Sequence, residues 1–333
     1  MKFLKWLGII LLVLIIVYFL GPKPSTPKYS KDLPVVPAEA SALEQYISTN
    51  EATHKLKPDN EARIFWLNDS LKQKTDYAVV YLHGFSASQE EGDPAHYNFA
   101  QKFGCNLYLS RLDAHGIDTT DPLANFTAEG LWNSAKQAYA IGKQLGKKII
   151  LMSTSTGGTV ALKLAAEYPE ISGLILLSPN IAINDPNAWL LNNHWGLQIA
   201  QMVTGKQRIV DDTTAEYAQY WNNRYSTASL VQLEELIETT MKESTFRKVI
   251  QPTLLLYYYK DDEQQDKVVK VSAMKRMFSQ LGTADSLKRQ MAIPNAGNHV
   301  IGSYIKSKDI QTVEEQCEKF ALEILRLKET GGH

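Results

Sequence analysis

The sequence predicts an α/β fold: a mostly parallel central sheet flanked by helices, with an inserted helical cap and a transmembrane helix at the amino end. Three observations carry this expectation. Short apolar runs such as "YAVVYLHG", "CNLYLSRL", "KKIILMS" and "ISGLILLSP" alternate with longer helical patterns, and strands apolar on both faces belong to parallel sheets covered by helices. The alternation stops between about residues 180 and 247, where helical patterning and aromatic side chains take over. The amino end holds "WLGIILLVLIIVYFL", uncharged over residues 6–20.

The amino-terminal run comes close to the roughly 20 residues that a helix needs to cross a bilayer, if it is counted from Phe3 with Lys5 snorkelling. Lys2 and Lys5 would also suit a signal peptide. No small-x-small cleavage site follows Leu20, however, and no cysteine directly follows to take a lipid. A retained single-pass anchor over residues 3–21 is therefore expected, with the lipid bilayer as its partner. Lysines flank the run on both sides and nearly balance. A short cytosolic amino end places the bulk of the chain outside the cytoplasm, in the periplasm if the source is a bacterium.

Residues 22–40 include "PKPSTPKYSKDLPVVP", too rich in proline for helix or central strand, and read as a linker lifting the domain off the membrane. "SALEQYISTNEA" reads as a short helix and "ARIFWLN" as an edge strand. Residues 41–180 and 246–333 then form the α/β core, and 181–245 the cap insert. An insert between two strands of one open sheet lies over the carboxyl edge, where such sheets bind ligands.

Lys and Arg number 35 against 36 Asp and Glu, a net charge of −1 without a basic block, so nucleic acid is not an expected partner. Cys105 and Cys317 make no disulfide framework and read as buried thiols. "STSTGGT" lacks the lysine of a phosphate loop, and the spacing of His83, Glu90, Glu91, Asp93 and His96 fits no ligand pattern. Neither cofactor nor metal is expected. "QEEGDP" reads as a polar loop at the site entrance, selecting against anionic substrates.

The stretch "IILMSTSTGGTVALKLA", residues 149–165, sets four hydroxyl side chains between an apolar strand and an apolar helix. A strand turning sharply into a helix strains its central residue and projects that side chain, and the residues two before and two after must be small. Ser155 stands at the centre, with Ser153 and Gly157 flanking. Ser153 occupies a place where glycine is usual and adds a hydroxyl at a crowded position. The backbone N–H of Thr156, at the positive end of the helix, suits a developing oxyanion. "YLHGFSAS" follows the first strong strand, and a His-Gly turn there would supply a second donor, the N–H of Phe85, while His83 braces the turn.

A serine nucleophile needs a base and an acid that orients it. His299 in "IPNAGNHVIG" follows the last strand on a Gly/Asn-rich loop and is the expected base. "LLLYYYKDDEQQDKVVKVS" offers Asp261, Asp262 and Asp266 as the acid. Val268 and Val269 would anchor the loop beside Asp266, which is the choice, with Asp261 and Asp262 in reserve.

Through "HGFSAS", "SRLDAHG", "STSTGG", "DKVV" and "NAGNH", residues 60–330 resemble the α/β-hydrolase superfamily, most closely its capped monoglyceride-lipase-like, carboxylesterase-like and serine-aminopeptidase-like members. That resemblance implies a triad of Ser155, Asp266 and His299 with Phe85 and Thr156 as oxyanion donors. The expected activity is serine ester hydrolysis on a small, lipid-like ester with an apolar acyl or alkyl group. An aminopeptidase-type amide hydrolase is the alternative, and a non-catalytic tethered binding module with a hydrolase fold the next.

Overall fold

The computed structural model describes residues 2–330. Seven strands form the central sheet: β1 (Arg63–Phe65), β2 (Thr75–Leu82), β3 (Asn106–Leu109), β4 (Gly146–Thr154), β5 (Gly173–Leu177), and two later ones, β8 (Thr253–Tyr257) and β9 (Lys288–Ala292). The two between them, β6 (Gln207–Ile209) and β7 (Arg224–Ser226), pair only with each other, antiparallel. The sheet order is β1-β3-β2-β4-β5-β8-β9. Every neighbouring pair is parallel except β1 with β3 at one edge.

The inner strands are apolar where both faces are covered, whereas β9 at one edge, KRQMA, is largely exposed. In β2, Ala78, Val80 and Leu82 join one core cluster while Val79 and Tyr81 join another on the opposite face, the period of two that a pleated strand imposes. Burying each such Val or Leu contributes about 1.5–3 kcal/mol. Helices α4 (Ala128–Leu145) and α5 (Thr156–Glu167) pack beside the first cluster, α3 (Ala95–Lys102) and α11 (Ile310–Phe320) beside the second. Thr127 caps α4 by accepting from the N–H of Gly130. Cys105 and Cys317 are buried, unbridged thiols in the second cluster. Two more core helices, α2 (Ala40–Glu51) and α10 (Val271–Gln280), lie on the first side.

Between β5 and β8 the chain leaves the sheet. This insert carries α6 (Gly196–Thr204), α7 (Ala215–Tyr220), α8 (Thr227–Thr240) and α9 (Glu243–Phe246), and also the β6–β7 pair, whose three-residue strands leave no periodic trace in a sequence otherwise patterned as helix. Helix α8 packs against α4 and α5.

At the amino end, α1 spans Lys2–Phe19, 18 residues. At 1.5 Å per residue this is about 27 Å, less than the roughly 30 Å of a hydrocarbon core. Among the described residues no helix is long and apolar enough to cross a membrane. The proline-rich segment that follows does not stand free. Trp132 Nε1 donates to the Ser30 carbonyl at 2.7 Å, Tyr168 Oη to that of Lys31 at 2.6 Å, and Lys136 Nζ to that of Asp32 at 2.9 Å. It is a strap across the domain, its carbonyls left free for side chains because proline disallows a regular ladder.

Candidate active site

Ser155 sits between β4 and α5 with φ 52° and ψ −120°, a region that costs a non-glycine residue on the order of 1–3 kcal/mol. The surroundings enforce it. Its N–H donates to the Leu177 carbonyl at 3.0 Å, and its carbonyl accepts from the N–H groups of Gly158 and Asn180 at 2.9 and 2.8 Å. A β-carbon on Gly157 would lie 1.9 Å from the Leu82 carbonyl oxygen, so only glycine fits there. Ser153, where glycine was expected, sits without crowding Gly158: even a β-carbon there would be 3.7 Å from Ser153 Oγ. The Ser153 hydroxyl is nonetheless buried without a hydrogen-bond partner.

The loop after β9 presents His299, and the loop after β8 presents Asp266. Nδ1 of His299 lies 2.6 Å from Oδ2 of Asp266, and Oδ1 accepts from the amides of Val268 and Val269 at 2.8 and 3.0 Å. Asp266 is 1% exposed and His299 9%. Nε2 of His299 is buried with no hydrogen-bond partner. Burial disfavours the charged imidazole, yet the charge and hydrogen bond of Asp266, helped by Glu91, outweigh it and raise the His299 pKa above the usual histidine value. The other two candidate acids serve an exposed turn: Asp261 Oδ1 accepts from the amides of Glu263 and Gln264, and Asp262 accepts from the Tyr259 hydroxyl.

After β2 the His83-Gly84 turn runs beside the elbow, where a β-carbon on Gly84 would lie 2.9 Å from Ser155 Cβ. Two histidines brace it. His83 Nε2 accepts from the Leu112 N–H at 3.0 Å, and its Nδ1 side faces the Gly84 carbonyl at 2.9 Å. His115 Nε2 accepts from the Ser86 N–H at 3.0 Å, with Nδ1 on the Asp113 carbonyl at 2.7 Å. Burial pushes the His115 pKa down to about 4 and that of His83 well below the usual value, so both are neutral and accept at Nε2. The Phe85 ring packs edge-on against His115, Phe126 and Tyr225. Among the described residues, the N–H groups of Phe85 and Thr156 have no protein acceptor.

"QEEGDP", expected as a polar loop at the entrance, carries one acid inward. Glu91 is buried, its carboxylate accepts a hydrogen bond from the Gly84 N–H, and it meets Ser155 Cβ at the same open side of that glycine. Burial pushes its pKa up to about 7, against the opposing pull of Gly84, His299 and the Trp221 indole. Trp221 follows α7, stacks on Tyr217 and covers this corner from the cap. The sequence signal for Glu91 was its place in the turn after the His-Gly loop, but three carboxylates within four residues hide it. Ser155, in consequence, is only 6% exposed.

The profile of the family described as Serine aminopeptidase, S33, matches residues 129–299, a span that holds Ser155, Asp266 and His299. A thermostable monoacylglycerol lipase of Bacillus sp. (strain H-257) is 26% identical over 177 residues, covering 53% of this chain and 67% of that one. Among solved structures, one of the metagenome-derived lipolytic enzymes LipS and LipT superposes with a TM-score of 0.63 at 16% identity, over 82% of this chain and 99% of that one. The monoacylglycerol lipase of Paleococcus ferrophilus gives 0.57 at 15% identity, over 79% and 98%. Est1E from Butyrivibrio proteoclasticus, with ferulic acid bound, gives 0.53 at 20%, over 80% and 95%. These likenesses establish the α/β-hydrolase fold.

Proposed function

The chain belongs to the Serine aminopeptidase S33 family of α/β-hydrolases, and from that premise we propose that it is a membrane-seated serine hydrolase cleaving carboxylic esters of apolar acyl or alkyl groups through an acyl-serine intermediate. The observation that carries this reading is the buried His299–Asp266 pair, whose Nε2 has no hydrogen-bond partner and so is free to take a proton, in a fold where Ser155 is held at the elbow.

Ser155 Oγ attacks the ester carbonyl carbon while His299 Nε2 takes its proton, and the carbonyl π-pair moves onto oxygen. The N–H groups of Phe85 and Thr156 receive that oxyanion. Collapse expels the alkoxide, which leaves as alcohol with the proton from His299. Water then gives a proton to His299 and attacks the acyl carbon. The carboxylic acid departs as Ser155 regains its proton. Asp266 keeps Nδ1 protonated throughout.

Aromatic rings line the covered side of the site, with Phe85, Tyr217, Trp221 and Tyr225 largely buried around it, which favours an apolar group. The substrate class inferred is a small lipid-like ester, in keeping with the monoacylglycerol lipase relative. The family description favours a second reading, amide hydrolysis at a peptide amino end. Helix α1 exposes apolar side chains on every side, and the bilayer is the partner that would cover them, with Lys5 snorkelling toward its interface. The catalytic domain then lies outside the cytoplasm.

A fluorophosphonate probe tests the reading: it should label Ser155, and Ser155→Ala should abolish labelling and p-nitrophenyl ester hydrolysis. Full activity in the alanine variant sinks it. Rates on short and long acyl esters against aminoacyl amides separate the two substrate classes.

A further inference from the structure

Glu91 is an ionisable group at the site that the acyl-transfer steps leave unused. A fully buried carboxyl is costly unless its partners compensate, and those of Glu91 belong to three separate parts of the site. The Gly84 N–H, on the oxyanion loop, donates to Oε2. The Trp221 indole, from the cap, is turned toward the same carboxylate. His299, on the loop after β9, feels its charge.

We propose that Glu91 is a positioning residue that ties the oxyanion loop to the cap and holds the proton of the general base. The inference rests on the reading of Ser155, Asp266 and His299 as the catalytic set. By engaging the Gly84 N–H, Glu91 fixes the peptide just before Phe85, whose own N–H stays free for the oxyanion. Through Trp221 it joins that loop to the segment covering Ser155. Its negative charge beside His299 favours the imidazolium that forms when Ser155 gives up its proton, adding to Asp266 from a different direction.

The backbone that carries the carboxyl is held in place. A β-carbon on Gly92 would lie 2.4 Å from the Tyr81 ring and 2.7 Å from His96, so the turn carrying Glu91 is pressed against β2 and α3. The titratable groups that face it are His299, Tyr81 of β2 and Tyr217 of α7. Its neighbours Glu90 and Asp93 interact with each other and with Asp59 instead. Burial raises the Glu91 pKa to about 7, while the charges of Glu91 and His299 each favour the ionised form of the other.

The test is the pH profile of kcat/KM for a soluble p-nitrophenyl ester, measured on the full chain and on Glu91→Gln. Glutamine keeps an acceptor for the Gly84 N–H but carries no charge, so Ser155 should still label with fluorophosphonate. The acid limb should move to lower pH and simplify to one titration. Glu91→Ala, which also frees Gly84 and Trp221, should lower kcat about tenfold or more at every pH with KM changed far less. An acid limb that stays put in Glu91→Gln, with labelling intact, overturns the inference while leaving the catalytic reading standing. Wild-type protein that never labels at Ser155 overturns that reading, and this inference with it.

Discussion

Asp266 gives one carboxylate oxygen to His299, 2.6 Å from Nδ1, and the other to the amides of Val268 and Val269. Two amide donors and burial at 1% exposure leave this carboxylate a single orientation. Asp266→Asn should therefore keep the fold but present an amide that can donate, favouring the wrong imidazole tautomer. On the expectation that the pair serves Ser155, kcat should fall on the order of 10⁴-fold. Asp261→Asn, on the exposed turn, should leave it unchanged. Steady-state ester kinetics on both variants check this.

The elbow makes two opposed stability predictions. Gly157→Ala drives a β-carbon into the Leu82 and His83 carbonyls, a backbone clash that should cost about 3 kcal/mol or leave no soluble protein. Ser153→Ala removes a buried hydroxyl without a partner and should raise the unfolding free energy by about 1 kcal/mol, with ester hydrolysis unaltered. Chemical denaturation measures both.

The expected sheet emerges from strands such as β2 and β4 because each is apolar on both faces, a pattern that a strand with one face in water does not carry. The corner at Ser155 was legible for a related reason. A tight strand-to-helix corner demands small neighbours, and Gly157 records that demand in the sequence. Contacts made across long separations left no such record. Glu91 stands among other acids, and its burial arises from packing against Tyr81, Ser155 and Trp221. His115 reads as an edge-loop residue, yet its ring supports the Ser86 amide. The prolines of the strap announce extended backbone but do not announce that Trp132 and Tyr168 will bond to it.

His115 predicts a pH dependence of stability. Its pKa is depressed to about 4 in the folded protein by burial, against about 6.5 when unfolded. Between those values the unfolded chain binds more protons, so stability falls as pH falls through that window, by roughly 3 kcal/mol for this group at its lower end. His115→Gln retains an acceptor near Nε2 for the Ser86 N–H and cannot ionise. The difference in Tm between pH 7.5 and pH 5 should shrink in the variant relative to the wild type. An equal difference in both would assign the acid sensitivity elsewhere.

The join between α1 and the cap makes the last prediction. Trp195 donates its backbone N–H to the Pro22 carbonyl at 2.9 Å and its indole N–H to that of Val17 at 3.1 Å, while His194 Nδ1 meets the Gly21 carbonyl at 2.6 Å and its ring packs on Tyr18 and Phe19. Trp195 itself holds a left-handed conformation, φ 64°, as the residue before α6. Removing residues 1–22 deletes every one of those partners at once. The truncated protein should leave the membrane pellet, as the proposed seating of α1 requires. It should also lose protection from amide hydrogen exchange selectively over α6, since a strained Trp195 no longer has contacts that hold it there. The strap bonds to Trp132, Lys136 and Tyr168 lie beyond the deletion, so exchange in α4 and α5 should be unaffected. Pelleting of the truncated form would contradict the seating, and unchanged exchange over α6 would show that the cap does not depend on the helix.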